Sequence, residues 1–161
     1  MVQRNEKRLE RPNVPEPYLG AWRSFLNAHA ALIERIEEGL AAADLPPLSW
    51  YDVLWALYRA PGRKLRMGGL AGEVVTIGRT GLTRLVDRIE AEGLVRREAV
   101  TGDRRGSFAV LTREGVALLR RMWPVYAAGI ERHFSSQLSQ AEAKRLRDML
   151  ARTGAAARGE N

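Results

Sequence analysis

Apolar residues between Tyr18 and about Leu40 recur at Trp22, Phe25, Leu26, His29, Leu32, Ile33, Ile36 and Leu40. These intervals of three, four and seven describe one face of a helix. The stretch Asp44-Leu45-Pro46-Pro47 ends it. Ser49 then reads as an N-cap with Asp52 at N3, the pattern of a capping box. The helix it opens carries Trp50, Val53, Leu54, Ala56 and Leu57 and stops at Pro61-Gly62. A third helical stretch begins near Met67 and holds Leu70, Ala71 and Val74. Its Gly68, Gly69 and Gly72 each cost about 1 kcal/mol against Ala in a helix, so tertiary packing must hold it. The next helix starts at Thr76 or Gly78 and runs to about Ala91, with Leu82, Leu85, Val86 and Ile89 as its inner stripe. Gly93 is placed as the glycine just past its C-terminus. The opposite face offers Arg79, Thr80, Thr83, Arg84, Asp87 and Arg88.

Two β-like runs follow, residues 94–97 and 107–111, joined by Ala99-Val100-Thr101-Gly102-Asp103-Arg104-Arg105-Gly106. Thr101-Gly102-Asp103 is turn chemistry. The expectation is a two-stranded hairpin with a basic tip. Thr112 caps a long helix to about Phe134, which Pro124 is expected to kink or split. Ser139-Gln140-Ala141-Glu142 is a full capping box for a last helix to Arg152, with Gly154 ending it. Residues 1–17 are polar, hold three prolines and read as a mobile arm. The fold class is therefore mainly α (α+β), a helical region around a lobe with a small β-hairpin wing.

Composition narrows the chemistry. The 161-residue chain has no Cys, which removes disulfides, thiolate metal sites and thiol-based sensing. Two histidines, His29 and His133, leave little for a metal, so neither metal nor cofactor is expected. There is no apolar signal-peptide core and no run long enough to span a bilayer, which points to a cytoplasmic protein away from membranes. No nucleophile–base pair or phosphate loop suggests an enzyme. Net charge is +7, and 23 of the 26 basic residues are Arg, the side chain suited to planar phosphate and base recognition. Between Arg63 and Arg113, eleven basic residues face six acidic ones, so most of the surplus sits mid-chain and an anionic polymer is the first partner to consider.

Helix, glycine-containing connection, Arg-rich helix and basic hairpin is the order of a winged helix-turn-helix. The major groove admits one helix, and a reader needs an aliphatic inner face and an outer face of donors. Residues 79–89 have that division. The tip Arg104-Arg105 suits phosphates or a narrow minor groove.

The segment 82–115 resembles the core motif of the MarR family of bacterial transcriptional regulators. Ile89-Glu90-Ala91-Glu92-Gly93-Leu94-Val95-Arg96-Arg97 resembles the end of its recognition helix and the strand after it. Asp103-Arg104-Arg105 resembles its wing, and Leu111-Thr112-Arg113-Glu114-Gly115 the segment after the wing. The flanking helices 18–42, 49–60, 113–134 and 139–153 match the family architecture too. The resemblance implies a single domain over 18–161, with dimerisation helices at 18–43 and 113–153 and a DNA-binding lobe at 49–112. It implies a homodimer on a pseudo-palindromic double-stranded operator, with half-sites about 34–36 Å apart. Tyr18, Leu19, Leu138, Leu146, Met149 and Leu150 independently suggest surfaces that one protomer would struggle to cover.

By the same resemblance, Arg84 is a DNA contact with Thr80 and Thr83 beside it, and Asp103 orients Arg105. Arg79, Arg88 and Arg104 complete the expected interface, although Arg88 could instead pair with Asp87 or Glu92. Arg96 and Arg97 are expected to divide, one toward phosphates and one toward Glu98 or a helix. The three glycines before the reading helix depart from the family pattern. The resemblance also implies a small aromatic or phenolic anion as effector, with Trp22, Arg23, Phe25, His29, Trp50, Tyr51, Trp55 and Arg59 as candidate contacts. Against this, an aromatic stripe at helical spacing is more often core. The expected function is a sequence-specific, ligand-responsive repressor. The alternative is an architectural DNA-binding protein of low specificity.

Overall fold

The computed structural model describes residues 14–74, 79–100 and 102–160, and does so through the backbone alone at 79, 80 and 103–105. The order is α1 (Glu16–Ala42), α2 (Leu48–Arg59), a 3-10 turn (Pro61–Arg63), β1 (Lys64–Arg66), α3 (Met67–Glu73), α4 (Arg79–Ala91), β2 (Val95–Val100), β3 (Asp103–Leu111), α5 (Arg113–His133), a second 3-10 turn (Ser135–Gln137) and α6 (Gln140–Arg158). The fold is mainly helical with one small antiparallel sheet, as the apolar pattern predicts. Most of the arm expected at 1–17 lies outside the described residues, and α1 takes in Glu16 and Pro17.

Two compact units divide inside α1, one up to Ala31 and one from Leu32 onward. The first holds the N-terminal half of α1. Its Tyr18, Trp22, Phe25 and Leu26 are exposed on the protomer. The second holds the hydrophobic core. Leu40, Leu48, Val53, Leu54 and Leu57 from α1 and α2 are fully buried there. Leu70, Leu85, Val86, Ile89, Val95 and Met122 close around them. Leu70 anchors α3 despite its glycines, which is the tertiary support that segment needs.

Four local readings are corrected. Ser49 is not the cap of α2. Pro47 takes that position without a side-chain hydrogen bond, and the Leu48 N–H donates instead to Glu37 Oε1 on α1 at 3.0 Å. A tertiary carboxylate satisfies the orphan amide. The sheet has three strands in the order β1-β3-β2, because residues 64–66 pair with β3 through Lys64↔Val110 and Arg66↔Phe108. β2 pairs with β3 from Val95↔Leu111 to Glu98↔Phe108, with a register shift after Ala99. α5 is one helix with Pro124 inside it, so the expected split does not occur. α6 continues past Arg152 and Gly154 to Arg158, and ends at Gly159, whose φ of 74° only glycine adopts without strain. Its capping box is as read, with Ser139 accepting from the Glu142 N–H and Glu142 accepting from the Ser139 N–H.

A candidate nucleic-acid interface and an aromatic cavity

Helix α4 has two unlike faces. Leu82, Leu85, Val86 and Ile89 are buried in the core, while Thr83, Arg84, Asp87 and Arg88 are exposed. Its expected start at Thr76 or Gly78 lies outside the described residues. Arg79 and Thr80 open the helix, and their side chains lie outside the described residues too. Arg84 and Arg88 are one turn apart and share a face. Among the described residues neither forms an ion pair, so Arg88 does not take Asp87 or Glu92 as partner. A guanidinium left to solvent keeps its donors for an incoming anion.

The C-terminus of α4 is fixed from both sides. Gly93 has φ of 71°, its N–H donates to the Glu90 carbonyl at 2.8 Å, and the Leu94 N–H donates to the Ile89 carbonyl at 3.1 Å. That pair of bonds is a Schellman motif, which satisfies the last carbonyls and turns the chain into β2. Arg97 on β2 then reaches back, pairing with Asp87 and, at 3.3 Å, with Glu90 Oε2. Its N–H also donates to Glu90 Oε1 at 2.9 Å. Arg97 is therefore a clasp between helix and sheet. Arg96 pairs with Glu98. Both arginines thus have acidic partners within the chain, Arg97 toward the helix and Arg96 toward Glu98.

The wing is the β2–β3 hairpin, turning at Gly102 with φ of 82°. Asp103, Arg104 and Arg105 begin β3, and their side chains lie outside the described residues. At the sheet's other edge Lys64 and Arg66 lie over the Phe108 ring, at 5.1 and 5.7 Å from its centroid. These are two basic groups the apolar pattern did not bring to the site. The only sequence signal was a charged residue on either side of Leu65, too short a run to mark a strand.

Between α2 and α5 lies an open cavity of about 720 Å³. Tyr51 and Trp55 line it, as do Tyr58 and Asp52 from the same helix. From α5 come Leu119, Arg120, Trp123 and Tyr126. Tyr51, Trp55 and Tyr58 follow one another with near-parallel rings at 6.1 and 5.6 Å, set by their spacing along α2. Trp123 adds a parallel ring 6.3 Å from Tyr51, and Tyr126 meets Tyr51 edge-on at 5.0 Å. Burial raises the Tyr51 hydroxyl's pKa above its ordinary value, and the neighbouring Tyr126 and Asp52 add to the effect. Burial and Asp52 raise Tyr126 likewise. Both phenols stay neutral donors at neutral pH.

The other cavity candidates lie elsewhere. Trp50 is half-buried and lines a separate depression with Pro46 and Leu94. Arg59 pairs with Glu73 at 3.3 Å. Trp22, Arg23, Phe25 and His29 belong to the first compact unit, where Phe25 stands 6.0 Å from Trp22 and 6.4 Å from His29, and Arg23 stands 4.0 Å from Glu16. They are exposed on the protomer, not core. Sequence reasoning missed the whole α5 wall. Its signal was the stripe Val116, Leu119, Trp123, Tyr126 and Ile130, one helical face that also carries Arg120. No helix among the described residues is long and apolar enough to cross a membrane.

A family model described as the MarR family matches residues 43–106. The HTH-type transcriptional regulator PecS of Dickeya dadantii is 30% identical over 146 residues, which are 90% of this chain and 86% of that protein. The HTH-type transcriptional regulator MhqR of Bacillus subtilis is 33% identical over 104 residues, 65% of this chain and 69% of that protein. Among solved structures, Sco3205, a MarR family transcriptional regulator from Streptomyces coelicolor, is described in complex with DNA. It superposes with a TM-score of 0.81 at 30% identity over 91% of each chain.

Proposed function

The chain belongs to the MarR family of DNA-binding transcriptional regulators, and from that premise we propose that it is a ligand-responsive repressor acting as a homodimer in the cytoplasm. The observation that carries this reading is α4, anchored by four buried aliphatic residues and offering Thr83, Arg84 and Arg88 to solvent. Two copies of that helix would enter successive major grooves of a pseudo-palindrome, about 34–36 Å apart. Arg79, Thr80, Thr83, Arg84 and Arg88 would meet the groove. The wing residues Asp103, Arg104 and Arg105 would reach the flanking backbone or minor groove.

The homodimer is supported by apolar residues that a protomer leaves exposed. Tyr18, Trp22 and Phe25 on α1 and Met149 and Leu150 on α6 are the main ones. On a monomer such surface is a liability, and a second copy would cover it. The domain division follows: α1, α5 and α6 pair the subunits, and residues 49–112 form the DNA-binding lobe. A small aromatic effector occupies the α2–α5 cavity. It needs to favour a lobe spacing that misfits DNA by only a few kcal/mol to release the operator.

The test is binding to the intergenic DNA beside its own gene and to a scrambled duplex of equal length, at two salt concentrations. Preference for the intergenic DNA by about a thousandfold at physiological salt supports a specific regulator. Equal, steeply salt-dependent affinity for both, persisting after selection from random DNA, would favour an architectural protein instead.

A further inference from the structure

Resting on the effector reading above, we propose that the α2–α5 cavity selects an extended flat aromatic, two or three fused rings lying along Tyr51, Trp55 and Tyr58, over a compound with a single ring.

The cavity is larger than one ring requires. An enclosed space of about 150 Å³ is enough to hold benzene. The space between α2 and α5 measures about 720 Å³. Its long wall is set by α2. Tyr51, Trp55 and Tyr58 follow at intervals of four and three, so they share one helix face over two turns, about 10 Å along the axis. All three border the cavity. A lone ring would cover one of these side chains and leave the others to water.

The ring planes favour a rigid plate. Trp55 is tilted 17° from Tyr51, and Tyr58 is tilted 15° from Trp55. Trp123, on the facing helix, is tilted 22° from Tyr51. A flat body parallel to one of these rings is close to parallel with the rest. Each fused ring added to it can then meet another side chain in the offset-stacked arrangement that aromatic pairs prefer. A saturated ring of the same size is puckered and loses that contact. The wall also has a closed end and an open one. Tyr51 is 5% exposed, whereas Trp55 is 41% and Tyr58 38% exposed. A ligand seated against Tyr51 reaches Tyr58 only if it is long. Both ends are held before any ligand arrives. Tyr126 meets Tyr51 edge-on at 5.0 Å, and the Arg63 guanidinium sits over Tyr58 at 5.0 Å from the ring centroid. Side chains already ordered lose little freedom on binding.

The experiment is calorimetric titration of the full-length protein with four phenols that are neutral at pH 7: phenol, 2-naphthol, 5,6,7,8-tetrahydro-2-naphthol and 2-anthrol. The expected result is 2-naphthol bound at least tenfold tighter than phenol, and 2-anthrol at least as tightly as 2-naphthol. The tetrahydro compound keeps the carbon skeleton and the apolar bulk of 2-naphthol but has one puckered ring. It should bind at least fivefold more weakly than 2-naphthol. Tyr58→Leu should weaken 2-anthrol at least fivefold and leave phenol within twofold. The wild-type ranking stands as a test even if the variant fails to fold. A tetrahydro compound bound as tightly as 2-naphthol would mean that apolar bulk alone is selected; it overturns the assignment and leaves an aromatic effector standing. So does phenol bound as tightly as the fused probes. If none of the four binds, the effector reading falls with the assignment.

Discussion

Gly115→Ala tests how the reading helix is tied to the body of the protein. Gly115 lies in the first turn of α5, and a Cβ built there would collide with the Leu94 carbonyl oxygen and stand 2.7 Å from Leu111 Cδ1. Neither is free to yield. The Leu94 carbonyl accepts the Thr112 N–H at 3.1 Å and the Thr112 hydroxyl at 2.9 Å. That hydroxyl in turn accepts the Gly115 N–H at 3.0 Å, and Leu111 is buried in the core. Overpacking a site that cannot relax costs about 1–3 kcal/mol. Displacing the carbonyl adds about 1 kcal/mol for a weakened hydrogen bond. Alanine's better helix propensity returns up to about 1 kcal/mol. The net expectation is a loss of about 1–3 kcal/mol, or roughly 2–12 °C in Tm for a chain of this size. Urea and thermal unfolding followed by circular dichroism, at one fixed protomer concentration, measure it. Because Leu94 follows the Schellman turn of α4, DNA binding should weaken as well. A variant within 0.5 kcal/mol of wild type, on the scale of ordinary surface changes, would falsify the claim that this junction is rigid.

Gly69→Ala should do the reverse, since a Cβ there meets nothing within 4 Å among the described residues and the backbone lies in α3. A gain of about 0.5–1 kcal/mol is expected from the stiffer unfolded chain, and a loss in urea unfolding would contradict it. Arg97→Ala removes the clasp onto Asp87 and Glu90. It should cost no more than about 1 kcal/mol and leave the salt dependence of DNA binding unchanged; a flatter slope would place Arg97 on a phosphate. Hydrogen bonds from Ser139 hold the Glu142 carboxyl below its ordinary pKa, so its contribution is present above the usual carboxylate range. The stability difference between wild type and Glu142→Ala should vanish as pH falls through that lowered pKa. A difference that persists well below it would mean the carboxylate charge is not what caps α6.

The parts of the fold readable in the sequence are those decided within a few residues. The inner stripe of α4, the turn at Gly93, the Thr112 cap and the Ser139–Glu142 box all depend on neighbours three to five positions away, and all stand as read. The parts that differ are decided by distant partners. Glu37 on α1 supplies the amide acceptor that Ser49 was expected to provide for α2. Strand β1 exists because β3 is beside it, and three residues are too few for a periodicity to show. Gly154 does not end α6, because a glycine stops a helix only where the chain takes a positive φ, and that happens at Gly159. The cavity divides the same way. Tyr51 and Trp55 were legible from α2, but the facing stripe of α5 gains its meaning only once the two helices pack together. Arg23 and Arg59 drew attention by type, whereas the groups placed among the rings are Asp52 and Arg120.

The central claim is that the exposed face of α4 reads sequence, and Arg84→Ala tests it most directly. Binding of wild type and variant would be compared on an operator selected from random DNA and on a scrambled duplex. A base-reading arginine predicts a loss of about 1–3 kcal/mol on the operator and a much smaller loss on the scrambled duplex. Equal losses on both would reduce Arg84 to a phosphate contact, and no loss on either would contradict the assignment of α4 as the reading helix.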